Sequence, residues 1–283
     1  MHTMIPSDTP GALSRSLFVV PLRWFGVLWS HKGLLKQFVN RDIRGRFVGS
    51  IAGLLWTVLM PLSQIITYFF IFSVIIKIRL PEAEIGTGSF LIFFLAGLFP
   101  WLAFSEALSR ATGILQENTN LITKVIFPTE LLPASAAASA FFLNGVGFLI
   151  FLVYLVSQGF FGWTWLLIPF LVCFLFLFSI GAACFLSALC VFLRDTQQLL
   201  SIVLTIWFYF TPILYPISMV PESMQSLMKI NPMLIYVDLF RQALLKHEFD
   251  IINIVICIFF SLLTFFLGTL FFDRLKYSFS DVL

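Results

Sequence analysis

Apolar residues in this chain come in long blocks separated by short polar breaks. Six blocks approach the roughly 20 apolar residues that a helix needs to cross a bilayer: residues 48–76, 89–108, 131–157, 164–193, 199–215 and 251–272. Pro61, Pro100, Pro169 and Pro212 fall inside or at the ends of these blocks, where a missing amide hydrogen and a clash with the preceding turn predict kinks. An even number of crossings places both termini on one side. The pattern predicts an all-α, polytopic membrane protein with six transmembrane helices, divided into an N-terminal segment, 1–46, and a transmembrane domain, 47–283.

Three polar pieces carry patterns of their own. From about Leu22 to Arg44, the positions Trp24, Phe25, Leu28, Leu35, Phe38 and Val39 recur at helical spacing, with Arg23, Lys32, Lys36, Asn40 and Arg41 between them. That predicts an amphipathic helix in the membrane interface, serving either as an anchor for the first span or as a surface for a partner. Between the second and third blocks runs ILQENTNLITKVIFPTELLP, Ile114 to Pro133. Glu117, Asn118 and Asn120 give it a polar face, and Pro128 predicts its end. Between the fifth and sixth blocks, Pro221 to Met224 reads as a helix start and Asn231-Pro232 as a break. Leu234 to Leu245 reads as a second helix, with Asp238 and Arg241 three apart as a pair. Its apolar positions, Met224 and Leu227 among them, are too interrupted to span, which predicts short re-entrant helices dipping into the outer leaflet.

Composition names the solvent. Hydrophobic residues make up 60% of the 283 and charged residues 11%, a balance that fits a bilayer and not a water-soluble globule. Orientation follows from Lys and Arg. If the N-terminus is cytoplasmic, that side holds Arg15, Arg23, Lys32, Lys36, Arg41, Arg44, Arg46, Arg110, Lys124, Arg194, Arg274 and Lys276, against Lys77, Arg79, Lys229, Arg241 and Lys246 opposite. The excess predicts cytoplasmic termini in a multi-pass membrane protein. The opening residues lack the short apolar region and small-residue cleavage site of a signal peptide. Cys173, Cys184, Cys190 and Cys257 lie in apolar runs without metal or redox spacing and are expected to pack as small hydrophobes.

What is missing excludes several chemistries. No Asp, Glu, Lys, Arg or His falls deep in a predicted span, since Glu106 and Arg110 lie near the cytoplasmic end of the second. An ion-coupled carrier or proton pump needs such a relay. The histidines are His2, His31 and His247, and no nucleophile stands beside a base within a motif. There is no GxxxxGK[ST] phosphate loop. If the chain moves a solute uphill, another polypeptide supplies the energy.

Four segments, in order, carry a resemblance. Arg46 to Lys77 (RFVGSIAGLLWTVLMPLSQIITYFFIFSVIIK), Phe94 to Pro133, Val191 to Leu200 (VFLRDTQQLL) and Phe208 to Glu222 (FYFTPILYPISMVPE) closely resemble ABC-2 type permease subunits. Within that family they are most similar to exporters of lipid-linked polysaccharide such as O-antigen, teichoic acid or capsule. The likeness covers nearly the whole chain from about residue 30. It implies a homodimer of the permease with two copies of an ABC ATPase beneath it. Those ATPases would bind ATP and Mg, with no cofactor in this chain and no nucleic-acid partner. It also implies an N-terminal interface helix, a cytoplasmic coupling helix over Ile114–Phe127, and gate helices between spans five and six. Leu115, Glu117, Asn118 and Leu121 become the expected ATPase contacts, and Met224 and Leu227 the expected gate positions. Arg194 and Asp195 match the family pattern, as a structural ion pair or as a further ATPase contact.

A sugar polymer needs a wet conduit with aromatic faces, because the C–H faces of pyranose rings stack on flat rings while the hydroxyls stay hydrogen-bonded. Trp56, Tyr68 and Phe69 in the first span and Trp207, Tyr209, Phe210 and Tyr215 in the fifth are the candidates. Trp and Tyr also serve as interfacial anchors. Arg41, Arg44 and Arg46 would meet a lipid-linked pyrophosphate through planar donors or act as charge determinants near anionic lipid. Two rival functions stay open: an exporter of drugs or small lipids from the same superfamily, and a membrane-embedded glycan-modifying transferase.

Overall fold

The computed structural model describes residues 10–76, 87–125 and 127–283. Lys77, Arg79, the Arg15 side chain and Ile126 of the polar stretch after the second block lie outside what is described. The described chain is helical. α1 (Pro10–Ser30) and α2 (Lys32–Gly45) are followed by α3 (Trp56–Phe69), which continues as a wider π turn through Phe70–Ile76. Then come α4 (Phe90–Glu117), α5 (Thr119–Lys124), α6 (Leu131–Ser157), α7 (Ile168–Phe192) and α8 (Thr196–Phe210). α9 (Glu222–Met228), α10 (Pro232–Arg241), α11 (Ile251–Leu275) and the short α12 (Phe279–Val282) complete it.

Among the described residues, five stretches are long and apolar enough to cross a membrane: Trp56–Ile76, Phe90–Glu117, Leu131–Ser157, Trp163–Phe192 and Ile251–Val282. The sixth predicted block, 199–215, is instead the 15-residue α8, which at 1.5 Å per residue reaches about 22 Å. It stops at Thr211-Pro212, where proline cannot donate to the preceding turn. Side-chain bonds sort the helix ends into two groups. Glu106 to Glu117 of α4, the start of α6 and the end of α11 gather with α1 and α2 at one end, termed here the near end. Phe93 of α4, Pro212 after α8, and Arg241 of α10 meet at the far end.

α4 is the hub. Every residue from Phe90 to Trp101 is buried, as are Ala107, Ala111 and Leu115, and α6, α7, α10 and α8 pack around it. Pro100 sits inside the helix without ending it. α7 and α11 touch backbone to backbone: a Cβ added at Gly268 would collide with the Gly181 carbonyl, and one at Gly181 with the Phe265 backbone. Such approach of small residues is how helices gain packing energy where lipid is as apolar as protein. α3 has no buried residue and leans on α6 where Pro61 overlies Gly147. α8 buries only Thr196, Leu200 and Leu204, a single i, i+4 stripe.

Three predicted boundaries change. The interface helix is two helices, α1 and α2, meeting at His31. The backbone bonds run on through the junction, from His31 to Val27 and Leu35 to His31. Trp24, Phe38 and Ile43 are its buried side chains, whereas Phe25, predicted on the apolar face, is half exposed beside Phe265. The second span does not stop at residue 108 but runs to Glu117. The stretch Ile114–Phe127 is therefore the last turn of α4, a break at Asn118 and the six-residue α5, not one separate helix.

The two helices after α8 form as their sequence suggests. Asn231 accepts from the Met233 amide (3.0 Å) as the N-cap of α10, with Pro232 in the first turn. They differ in place: α9 is mostly exposed, while α10 buries Met233, Tyr236, Val237 and Phe240 against the bundle. Three cysteines are buried and Cys173 is exposed.

Candidate functional site

At the near end the polar residues of α2, α4 and α6 form one network. The Asp42 side chain is 6% exposed, and its two oxygens serve different helices. Oδ1 accepts from Arg110 Nε of α4 at 2.8 Å, and Oδ2 accepts from Ser139 Oγ of α6 at 2.5 Å. Burial by itself would raise the Asp42 pKa. The Ser139 hydroxyl and the Arg110 and Arg46 guanidiniums outweigh it and hold the carboxyl below its ordinary value. Arg110 turns its other arm to Glu117 Oε1 (2.9 Å) in the last turn of α4. Arg46 bridges Asp42 (3.5 Å) and Glu106, and Glu106 accepts from Asn144 Nδ2 of α6 at 2.6 Å.

The hinge between α4 and α5 is tied into the same network. Asn118 accepts from Arg41 Nη2 at 2.6 Å while its own amide donates to the Ile114 carbonyl at 2.8 Å. Gln116 donates to the Cys190 carbonyl at the end of α7 (2.8 Å). A 680 Å³ cavity opens between α2 and this hinge, lined by Arg41, Asp42, Arg46, Arg110, Glu117 and Asn118. A second ion cluster fixes α1: Lys276 pairs with Glu130 (2.7 Å) and Asp273 (2.6 Å), and Asp273 with Arg23 (3.0 Å).

The predicted contact residues divide on this geometry. Glu117 is exposed and Asn118 and Leu121 are half-buried at the hinge, so all three present some surface. Leu115 does not: it is fully buried in the core, because the second helix runs on past it. Arg194 and Asp195 are exposed in the turn between α7 and α8, and among the described residues no ion pair joins them. Of the three arginines, Arg46 is spent on Asp42 and Glu106. Arg41 bonds to the neutral amide of Asn118 and lies over the Phe38 ring, Arg44 bonds to the amide of Asn40, and among the described residues neither forms an ion pair.

The aromatic candidates split as well. Trp56 donates to Ser50 Oγ (2.7 Å) and lines a 350 Å³ cavity with Arg46, Gln64, Glu106 and Asn144. Tyr68 packs edge-on to Phe94 with ring centroids 4.9 Å apart, and Trp207 lies against Trp101 and Phe104 while donating to Asn231 Oδ1 at 2.7 Å. Those two rings help hold the chain together. Phe69, Tyr209 and Phe210 point outward, 46%, 59% and 45% exposed. Tyr215 folds back and donates to the Tyr209 carbonyl at 2.5 Å. Met224 and Leu227 are exposed on α9.

Two features escape a reading of sequence spacing. Asp42 sits among Arg41, Arg44 and Arg46, which hints at pairing, but its partners Arg110 and Ser139 are 68 and 97 residues away. The Asp238–Arg241 pair does not form: Asp238 accepts from Gln242 Nε2 (2.8 Å). Arg241 instead donates to the carbonyls of Phe93 (3.2 Å), Pro212 (2.7 Å) and Ile213 (2.9 Å). Its guanidinium also lies 3.5 Å over the Phe93 ring.

Residues 33–245 match the family described as ABC-2 type transporter. The chain belongs to the ABC-2 type transporter family. It is 32% identical over 228 residues to the O-antigen export system permease protein RfbA of Myxococcus xanthus, covering 78% of this chain and 84% of that one. To the RfbA of Klebsiella pneumoniae it is 30% identical over 261 residues, 88% of this chain and 95% of that one. To the polysialic acid transport protein KpsM of Escherichia coli it is 25% identical over 231 residues, 81% and 88% of the two chains. As an ABC-2 chain, it carries its buried ion network between α2 and α4, inside the family match.

Proposed function

We propose that this ABC-2 chain is the membrane subunit of an exporter of lipid-linked polysaccharide such as O-antigen, moving it from cytoplasm to periplasm with energy from a separate ATPase. The likeness to O-antigen permeases over 84–95% of their length carries this reading, since it takes in the helices and their connections together. The near end is the cytoplasmic one: it holds Arg23, Lys32, Lys36, Arg41, Arg44, Lys124, Arg194 and Lys276, against Lys229, Arg241 and Lys246 at the far end. α8 then serves as the sixth crossing, completed by the turns of Thr211–Tyr215, which brings both termini to the cytoplasm. The membrane is the inner membrane.

The ATPase docks on the hinge after α4, where Glu117, Asn118 and Leu121 meet it, with Arg194 and Asp195 beside them. Movement of the hinge has a path inward. Glu117 pulls on Arg110, Arg110 on Asp42, and Asp42 on α2, which leads into α3 at the mouth of the conduit. Two copies of the chain face each other through α3 and α8, whose apolar surfaces find no cover within one copy. Phe69, Tyr209 and Phe210, exposed on those helices, supply the aromatic faces that meet sugar. Arg41 and Arg44, which form no ion pair among the described residues, meet the phosphate-bearing end of the substrate or the surrounding anionic lipid, while α9, with Met224 and Leu227, narrows the exit.

The test is Glu117→Ala combined with Asn118→Ala. The expected result is normal membrane insertion, weaker co-purification with the ATPase and reduced polymer export. Unchanged co-purification and export would remove the hinge from the coupling role. ATPase stimulation of the reconstituted complex by small hydrophobic drugs, with none by lipid-linked glycan, would move the substrate to the drug class.

A further inference from the structure

At the far end, a 530 Å³ cavity lies between the starts of α4 and α11, the break after α8, Lys229 just past the end of α9, and α10 with the turn that follows it. Nothing in the proposed export path uses it. Its polar lining is Arg241, Lys229, Lys246, Asn253, Asp238, Asp250 and Ser218, and its apolar walls include Phe93, Leu234, Ile235 and Ile256.

The cations and the acids of this lining are not equivalent. Asp250 Oδ1 is taken by the Ile252 amide (2.9 Å) as the cap of α11, and Asp238 Oδ2 by Gln242 (2.8 Å). Lys229 Nζ, Lys246 Nζ and the Asn253 amide make no side-chain hydrogen bond or ion pair among the described residues. Arg241 is 7% exposed and spends one donor on each of three carbonyls. A guanidinium has five N–H groups, so two remain. Those bonds also fix its position, and Gly97 makes the space for it: a Cβ there would stand 2.8 Å from Arg241 Nη2. The cavity therefore has a rigid, buried cation, two ammonium groups beyond hydrogen-bond reach of a carboxylate (Lys246 still feels the charge of Asp238) and an idle amide, with one formal positive charge in excess.

Location narrows the ligand. Phe93 is in the first turn of α4, and Asn253 and Ile256 are in the first two turns of α11. In a bilayer, helix ends of this kind lie at headgroup depth, where a polar group and a hydrocarbon chain meet. We propose that this cavity binds the phosphate group of an amphiphile, with Arg241, Lys229, Lys246 and Asn253 donating to its oxygens and the apolar wall taking the first carbons of its chain. A tetrahedral anion with several free oxygens suits donors converging from different helices better than a planar carboxylate does. The phosphate can come from an anionic phospholipid of the outer leaflet or from the diphosphate end of a long-chain carrier delivered by export. The chemistry at the cavity is the same for both.

The experiment uses the purified full chain in neutral detergent without ATPase, so it reads the cavity independently of the export assignment. Binding of short-chain phosphatidylglycerol, short-chain phosphatidylcholine and an isoprenyl diphosphate is followed by native mass spectrometry. The expected result is saturable binding of the two anionic amphiphiles and weaker binding of the zwitterionic one. Lys229→Gln with Lys246→Gln should weaken the anionic binding about tenfold or more, the loss expected when hydrogen bonds to charged groups are removed. Lys32→Gln with Lys36→Gln, at the near end, should leave it unchanged. If the diphosphate displaces phosphatidylglycerol at lower concentration, the carrier is the natural source; the reverse order assigns the site to membrane lipid, and both uphold the site. Equal binding of all three probes, or equal binding by wild type and the Lys229/Lys246 variant, would overturn it.

Discussion

α3 and α4 are both apolar enough to cross a membrane, yet none of the residues of α3 is buried, while nearly all of Phe90–Leu115 in α4 is. Hydrophobicity does not separate them, because a Leu or Phe facing lipid is as content as one facing protein. What separates them is size. α4 carries Ala96, Gly97, Ala103, Ala107, Ala111 and Gly113, which let α6, α7 and α10 come close. Trp56–Phe69 contains neither Gly nor Ala. In a bilayer, helices associate through close packing and polar contacts. A helix without Gly or Ala stays at the rim of its own chain and is free to meet lipid or a second copy.

The comparison breaks most visibly at the tightest packing in the bundle. Gly268→Leu would drive a side chain into the Gly181 carbonyl, which is backbone and has nowhere to go. Overpacking usually costs about 1–3 kcal/mol, and here the cost should exceed that range, leaving little folded chain in detergent. Thermal unfolding of the purified protein checks it. A wild-type melting temperature in the variant would show that α7 and α11 do not rest on backbone contact.

Polar contacts are the second means of association, and Asp42 is their sharpest instance. Its carboxyl sits below its ordinary value, so ionisation favours the folded chain. The stabilisation is complete above the unfolded value near 4 and is lost as pH falls through the lower folded value. Between pH 5 and 8 this group should contribute no pH dependence; the loss belongs to the acid side below about pH 4. Asp42→Asn should cost roughly 1–3 kcal/mol at neutral pH, since Arg110 and Ser139 lose an ionised partner, and should flatten the acid limb. An unaltered acid limb, read from unfolding across pH 3–7, would show that the network does not tie α2 to the bundle.

The same contrast marks how far the sequence could be read. Apolar runs show where helices lie, and the Asn231-Pro232 cap and break come out as their spacing suggests. The second helix is longer than its apolar block, because Glu106 and Arg110 look like an interface only while their partners on α2 and α6 are unknown. For the same reason Leu115, expected at a contact surface, lies in the core. The Asp238 and Arg241 spacing looks like a helical pair, but the chain leaves its helix before Pro212, and the arginine goes to the Pro212 and Ile213 carbonyls in that break. Partners distant in sequence leave no periodic mark. The exposed residues of α3 and α8 leave only a negative one, the lack of Gly and Ala.

The central claim is that the uncovered faces of α3 and α8 are where two copies meet around the conduit. In a background with Cys173, Cys184, Cys190 and Cys257 replaced, single cysteines at Leu59, Ile66 and Phe69 of α3 and at Ile202 and Ile206 of α8 can be cross-linked in intact membranes, with Phe142 of α6 and Phe185 of α7 as equally exposed controls. The account predicts covalent dimers from α3 and α8 positions and none from the controls. Dimers from Phe142 or Phe185 and none from α3 or α8 would contradict it.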